Sequence, residues 1–195
     1  KTLKATFASY GFFLNVSESL YGGLEHRAST ALAASFFDLP IESETTISAG
    51  YAKLLELFTH EYFHAWWVKR VKPSVFIPYD LTQETYTNLL WVFEGFTSYY
   101  DALLTARSGA TDTENYLKSL SETLNRHYLA SAKNRQSLAE SSFDAWIKYY
   151  KVRTNRSRSV TSYYDKGALV AMALDAFIQK ESVGKHSLDD VVRFA

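Results

Sequence analysis

The chain has 195 residues, enough for one well-buried domain and too few for two full cores. Its 21 Lys and Arg balance 21 Asp and Glu, so no overall field selects nucleic acid, an anionic membrane or a strongly charged substrate. With no cysteine, thiolate catalysis, disulfides and sulfur-ligated metals are excluded, and any metal must be held by His, Asp or Glu.

Tyr10 to Val16 is aromatic and apolar and reads as a strand. Ser17-Glu18-Ser19 reads as a turn, and Gly22-Gly23 belongs to a further extended segment, so residues up to about 47 are expected to form a small β-rich part. Ser48-Ala49-Gly50 opens a long helical pattern to about Arg70, stopped by Pro73. Its residues Leu54, Leu55, Leu57, Phe58, Ala65 and Val68 give the broad apolar face of a core helix. Val71 to Asp80 carries Pro73 and Pro78 and is expected to be irregular. Asp80 with Gln83 is placed to cap a second long helix, about Thr82 to Arg107, closed by Gly109. Thr111 with Glu114 resembles a capping box for a third helix to about Ala130, and Ser141 or Ser142 can start a shorter one through Tyr150. Lys151 to Ser159 is a basic, serine-rich loop with Arg153, Arg156 and Arg158, read as solvated rather than substrate-binding. A further helix runs from about Tyr163 to Glu181, with Gly184 marking its end.

Helix outweighs strand, so the expected fold is mostly α, of α+β type, as one domain over residues 1–195. No apolar run reaches the ~20 residues of a membrane span, and no signal-peptide pattern opens the chain. Without an initiator Met, and stopping at Ala195 within a helical pattern, the sequence is expected to be a piece of a longer chain. Its compartment is left open.

The chemistry centres on His60-Glu61-Tyr62-Phe63-His64. Two histidines four positions apart on a helix lie ~40° apart around the axis and one turn apart along it, so both imidazoles can reach one ion. In an H-E-x-x-H site the histidines bind zinc and the Glu after the first takes a proton from water at the metal. Zinc with two His needs another protein ligand and an open position. Glu94 is the candidate third ligand, because a carboxylate within Trp91-Val92-Phe93-Glu94-Gly95-Phe96 would be costly to bury unless paired or bound to metal. One Zn2+ suits this donor set best, though cobalt or manganese could take its place.

Glu61 to Asp101, with H-E-Y-F-H-A-W, V-K-R-V-K-P, P-Y-D and E-G-F-T-S-Y-Y-D, closely resembles the glycyl-aminopeptidase family of gluzincin metallopeptidases. Tyr21-Gly22-Gly23-Leu24-Glu25-His26-Arg27 resembles that family's glycine-rich segment, and Tyr163-Tyr164-Asp165-Lys166-Gly167 its Tyr-acid-Lys-Gly element. The resemblance implies a thermolysin-like, mostly helical catalytic domain whose full-length relatives add an N-terminal β-rich and a C-terminal PDZ-like domain. Carried over, His60, His64 and Glu94 are zinc ligands, Glu61 is the general base, and Tyr164 donates to the oxyanion, with Tyr163 competing for that role. Glu25 would hold the substrate's α-ammonium, and Gly22 and Gly23 would let substrate backbone approach the strand. One departure stands out: Trp66-Trp67 follows the second histidine where Trp-Asn is expected, which would reshape a pocket wall.

The implied activity is zinc-dependent release of an N-terminal residue from a peptide, with glycine or another small residue favoured on family grounds. Two other readings stay open. The same centre could serve an endopeptidase or other amide hydrolase, leaving Glu25 no amine to hold, or the domain could bind peptides without turnover.

Overall fold

A computed structural model describes residues 7–43, 46–151 and 160–195. The arginines of the basic loop, Arg153, Arg156 and Arg158, lie outside the described residues. Backbone contacts divide the chain into two compact units, Lys1–Arg70 with Tyr100–Leu120 and Val71–Tyr99 with Ser121–Ala195.

In the first unit, strands β1 (Gly11–Ser17), β2 (Gly22–Glu25) and β3 (Ser29–Ser35) form a sheet of order β1-β3-β2. The third strand is the one that sequence reading leaves unseparated. β1 runs parallel to β3, pairing Gly11 with Ser29, and β2 runs antiparallel to it, pairing Glu25 with Thr30. β2 is therefore an edge strand. Thr30, Leu32 and Ala34 alternate inward along β3, and Leu32 and Ala34 pack with Leu54 and Leu57 of helix α1 (Ala49–Phe63).

Helix α1 starts where expected, with the Ser48 hydroxyl accepting from the Tyr51 N–H at 3.1 Å. It ends at Phe63, well short of Arg70. The reason is visible in the backbone. The Ala65 and Trp66 N–H groups bond to the Tyr62 and Phe63 carbonyls at 3.1 and 3.0 Å, tightening the last turn, and the Lys69 N–H returns to the His64 carbonyl at 3.0 Å. Three contacts fix α1 on neighbouring helices of this unit. Phe63 stacks on Tyr100 at 4.9 Å, Thr59 and Thr105 share a 2.7 Å hydroxyl bond, and Ser119 donates to Glu56 at 2.8 Å. The helix carrying Ser119, α3 (Thr113–Leu129), is capped by Asp112, which accepts from the Asn115 N–H at 2.8 Å, rather than by Thr111.

In the second unit, the long helix expected from Thr82 begins only at Leu90, giving α2 (Leu90–Arg107), the helix whose later residues include Tyr100 and Thr105. Asp80 is occupied otherwise. Its carboxylate accepts from the Thr82 N–H at 2.9 Å, the Thr82 hydroxyl at 2.6 Å and the Gln83 amide at 2.7 Å, a local turn in place of a helix cap. At the true start of α2, the Trp91 N–H donates to the Ser142 hydroxyl at 3.0 Å. Ser142 lies in α4 (Leu138–Phe143), which opens on a Ser137–Glu140 capping box, four residues before the expected start, and continues into a π-helical turn, Ala145–Tyr149.

Helix α5 (Tyr163–Glu181) is capped by Ser162 and packs on α2 at a glycine-glycine crossing. A methyl group on Gly95 would come within 2.5 Å of the Gly167 Cα, and one on Gly167 within 2.8 Å of the Gly95 Cα, so the two backbones touch. Buried Asp175 ties the same elements further. It accepts from the Tyr99 hydroxyl at 2.5 Å and from the Leu188 N–H, at the start of α6 (Leu188–Phe194), at 2.7 Å. The fold is thus mostly helical with a small N-terminal sheet, as the sequence implies.

Candidate metal centre

His60 stands in the last turn of α1 and His64 caps its C-terminal end. The ring centroids are 4.8 Å apart with planes at 85°. Each ring is oriented through Nδ1. In His60 it lies 3.0 Å from Asp101 Oδ2, and in His64 3.0 Å from the Trp67 carbonyl oxygen. An ionised carboxylate and a carbonyl can only accept, so both Nδ1 atoms carry the proton and both Nε2 lone pairs are left to bind an ion. Burial strengthens this, since His64 is only 2% exposed. The C-terminal end of a helix also carries partial negative charge, which favours a cation.

Glu94 is the third member of the candidate group. It, His60 and His64 each offer a ligand atom, and these atoms all lie within 4.8 Å of one another. Two neutral imidazoles and a carboxylate, with orienting partners on both rings, fit zinc in number and chemistry.

Glu61 is buried, and it is fitted to the edge strand. A methyl group on Gly23 would fall 2.3 Å from both Cδ and Oε1 of Glu61, so Gly23 leaves the space its carboxylate fills. Gly22 differs, with open space where a side chain would point. The Tyr10 hydroxyl donates to the Glu61 carbonyl at 3.4 Å. Burial pushes the Tyr10 phenol up to about 12, helped by the charges of Glu61 and Glu25, so both carboxylates lie within electrostatic reach of one hydroxyl. Glu25 forms a partly buried ion pair with Lys69, Oε1 to Nζ 3.0 Å.

Tyr164 and Glu94 are neighbours in the second unit. Burial first, then the Glu94 charge, pushes the Tyr164 phenol well above its ordinary range, so it stays an O–H donor at neutral pH. Tyr163 is fully buried and donates to the Tyr150 hydroxyl at 3.1 Å, while the Tyr150 and Tyr164 hydroxyls are 3.2 Å apart. The two candidates are thus linked through Tyr150, and Tyr163 is the one wholly enclosed.

Four groups that the sequence does not single out lie against the candidate residues: Asp101, the Trp67 carbonyl, Lys69 and Tyr150. Asp101 had a signal: seven residues beyond Glu94, it falls within ~20° of the same face of α2. The Trp67 carbonyl had none, being main chain. It also bears on the Trp67 departure, because what meets His64 is the backbone oxygen while the indole is buried.

A family model described as M61 glycyl aminopeptidase matches residues 53–170. The crystal structure of an aminopeptidase N family protein from Idiomarina loihiensis is similar with a TM-score of 0.94 and 44% identity, over 97% of this chain and 32% of that one. The chain therefore spans about a third of that relative's length. Among curated proteins no sequence matches.

Proposed function

The chain belongs to the M61 glycyl aminopeptidase family, and on that footing we propose that it is the catalytic part of a zinc-dependent aminopeptidase that hydrolyses the N-terminal bond of peptides, favouring glycine or another small first residue. The observation that carries this reading is the grouping of His60, His64 and Glu94, with each imidazole Nδ1 held by an acceptor.

A zinc ion held by these residues would supply a Lewis acid for the scissile carbonyl and acidify water to a pKa near ~7. Glu61 takes the proton from the attacking water and delivers it to the leaving amine nitrogen. Tyr164, kept protonated by burial and by Glu94, donates to the carbonyl oxygen as negative charge grows there. Glu25 holds the free α-ammonium, which fixes the first residue against the scissile position. His60 and His64 stay in one tautomer throughout because Asp101 and the Trp67 carbonyl occupy Nδ1.

The test uses the full-length protein: zinc per chain, and hydrolysis of a glycyl reporter that stops with chelator and returns with zinc. One zinc bound without turnover of any amino-terminal substrate would refute the reading in favour of a peptide-binding domain. The Glu25–Lys69 pair lends weight to a second reading, an endopeptidase, since an incoming amine must share or displace Lys69. Equal loss on free and N-acetylated peptides in Glu25→Ala would favour it.

A further inference from the structure

Tyr164 does not stand alone in the second unit. Tyr163 is fully buried, and its hydroxyl donates to the Tyr150 hydroxyl at 3.1 Å. Tyr150 in turn lies 3.2 Å from the Tyr164 hydroxyl. The elements that carry the three phenols are tied together close by. The Ser141 hydroxyl of α4 donates to the Thr161 carbonyl at 2.5 Å, two residues before α5 begins. Past α4 the chain widens into the π-helical turn, where the Tyr150 N–H bonds to the Ala145 carbonyl at 3.0 Å, five residues back. Ala145 is buried, and the Trp146 indole N–H donates to the Thr85 carbonyl at 3.2 Å, so the turn that presents Tyr150 is held at its base.

We infer that Tyr150 is a positioning residue for Tyr164, donating to its oxygen so that the Tyr164 O–H is kept for the substrate oxyanion. The inference rests on the reading that Tyr164 is the oxyanion donor. A phenol has one proton to give and can accept as well. Tyr163 spends its proton on Tyr150, so Tyr150 enters the chain as an acceptor with its own proton still to place. At the 3.2 Å contact only one of two polarities can hold. If Tyr164 donated to Tyr150, its single proton would go to a neutral phenol and none would face the oxyanion. With Tyr150 donating, the order is Tyr163 to Tyr150 to Tyr164, each O–H polarising the next, and the last proton is left for substrate. Glu94 favours that order. After burial, its charge is the next largest influence on Tyr164, and a proton turned towards a carboxylate is held more strongly than one given to a phenol. Glu94 also belongs to the candidate metal group, so the Tyr164 proton is drawn towards the place where the carbonyl reacts.

The zinc-loaded full-length protein decides it. Tyr150 is 53% exposed, so Tyr150→Phe removes one hydroxyl without opening the core. It is expected to lower kcat on a glycyl reporter about tenfold, part of the roughly 10²- to 10³-fold that a whole oxyanion donor contributes, with KM and zinc content unchanged. In a Tyr164→Phe background the same substitution is expected to cost nothing further, because Tyr150 acts through Tyr164. Calorimetric binding of a glycyl phosphinic pseudopeptide, whose anionic oxygen stands in for the oxyanion, gives a readout independent of turnover. Tyr150→Phe should weaken it about tenfold, in step with kcat and not with KM. An unchanged kcat or phosphinate affinity in Tyr150→Phe overturns the positioning role while leaving the donor reading intact, and so does a loss as large in the Tyr164→Phe background as in the wild type. Wild-type kcat in Tyr164→Phe removes the donor reading itself, and the role of Tyr150 with it.

Discussion

Replacing Gly23 by alanine tests the placement of Glu61, the proposed general base. The added methyl carbon would stand 2.3 Å from Cδ and Oε1 of Glu61, where ordinary carbon contacts begin near ~3.5 Å, so one group must yield by more than ~1 Å. β2 is held by its ladder to β3 across Gly22 to Glu25, and Glu61 sits on a helix locked by the Phe63–Tyr100 and Thr59–Thr105 contacts. The carboxylate is the softer partner and swings away. A displacement of that size at a proton-transferring group costs about 10²-fold in rate. The expected outcome for Gly23→Ala is kcat on a glycyl reporter lowered about a hundredfold with one zinc still bound, because the mutation touches none of His60, His64 or Glu94. Overpacking also lowers stability by about 1–3 kcal/mol, read as a fall in Tm of several degrees. Leu24→Ala, on the same strand but 61% exposed, controls for general loosening of the sheet. Wild-type kcat in Gly23→Ala, with the protein folded, would refute the fit between strand and base.

Asp101→Ala removes the acceptor from His60 Nδ1 and is expected to weaken zinc about 10- to 100-fold in chelator competition, with the fold retained. Tyr164→Phe is expected to lower kcat by about 10²- to 10³-fold at unchanged zinc content; if Tyr163→Phe does this instead, the donor assignment passes to Tyr163. Alkaline titration reports on Tyr10. Its folded value of about 12 lies above the ordinary phenol value, so its contribution is intact below pH ~10 and is lost as pH rises towards 12, when the unfolded chain ionises first. Tyr10→Phe should remove that part of the alkaline loss, seen as a shallower fall of Tm over the same pH window.

The sequence makes some of this legible and hides the rest for identifiable reasons. The aromatic and apolar run of β1 and the Ser48 cap are local, so the first strand and the start of α1 follow from residue type alone. Helix ends follow less well. Asp80 suits a cap or a local turn equally, and what decides is Ser142, distant in sequence, receiving the Trp91 N–H. The end of α1 is likewise set by a turn that carries the Trp67 carbonyl to His64, an interaction between main chain and metal-site imidazole that no residue identity encodes.

The candidate site residues most legible in the sequence are those whose chemistry is borne by side chains at fixed spacing on one helix, His60, Glu61 and His64. Glu25 shows the limit of that kind of reading. As a strand carboxylate it can be nominated as an amine anchor, but only the fold reveals that Lys69 already meets it. An ammonium-binding carboxylate paired in advance with an internal ammonium need not pay the whole cost of desolvation when substrate arrives, since one cation is exchanged for another. The consequence is measurable. In Lys69→Met the bare carboxylate must be desolvated without exchange, while competition for it disappears, so the two effects separate by salt. If competition dominates, KM for a glycyl substrate falls at low ionic strength and the gain shrinks as salt screens the partly buried pair. A KM that rises at every salt concentration would show instead that Lys69 holds Glu25 in place.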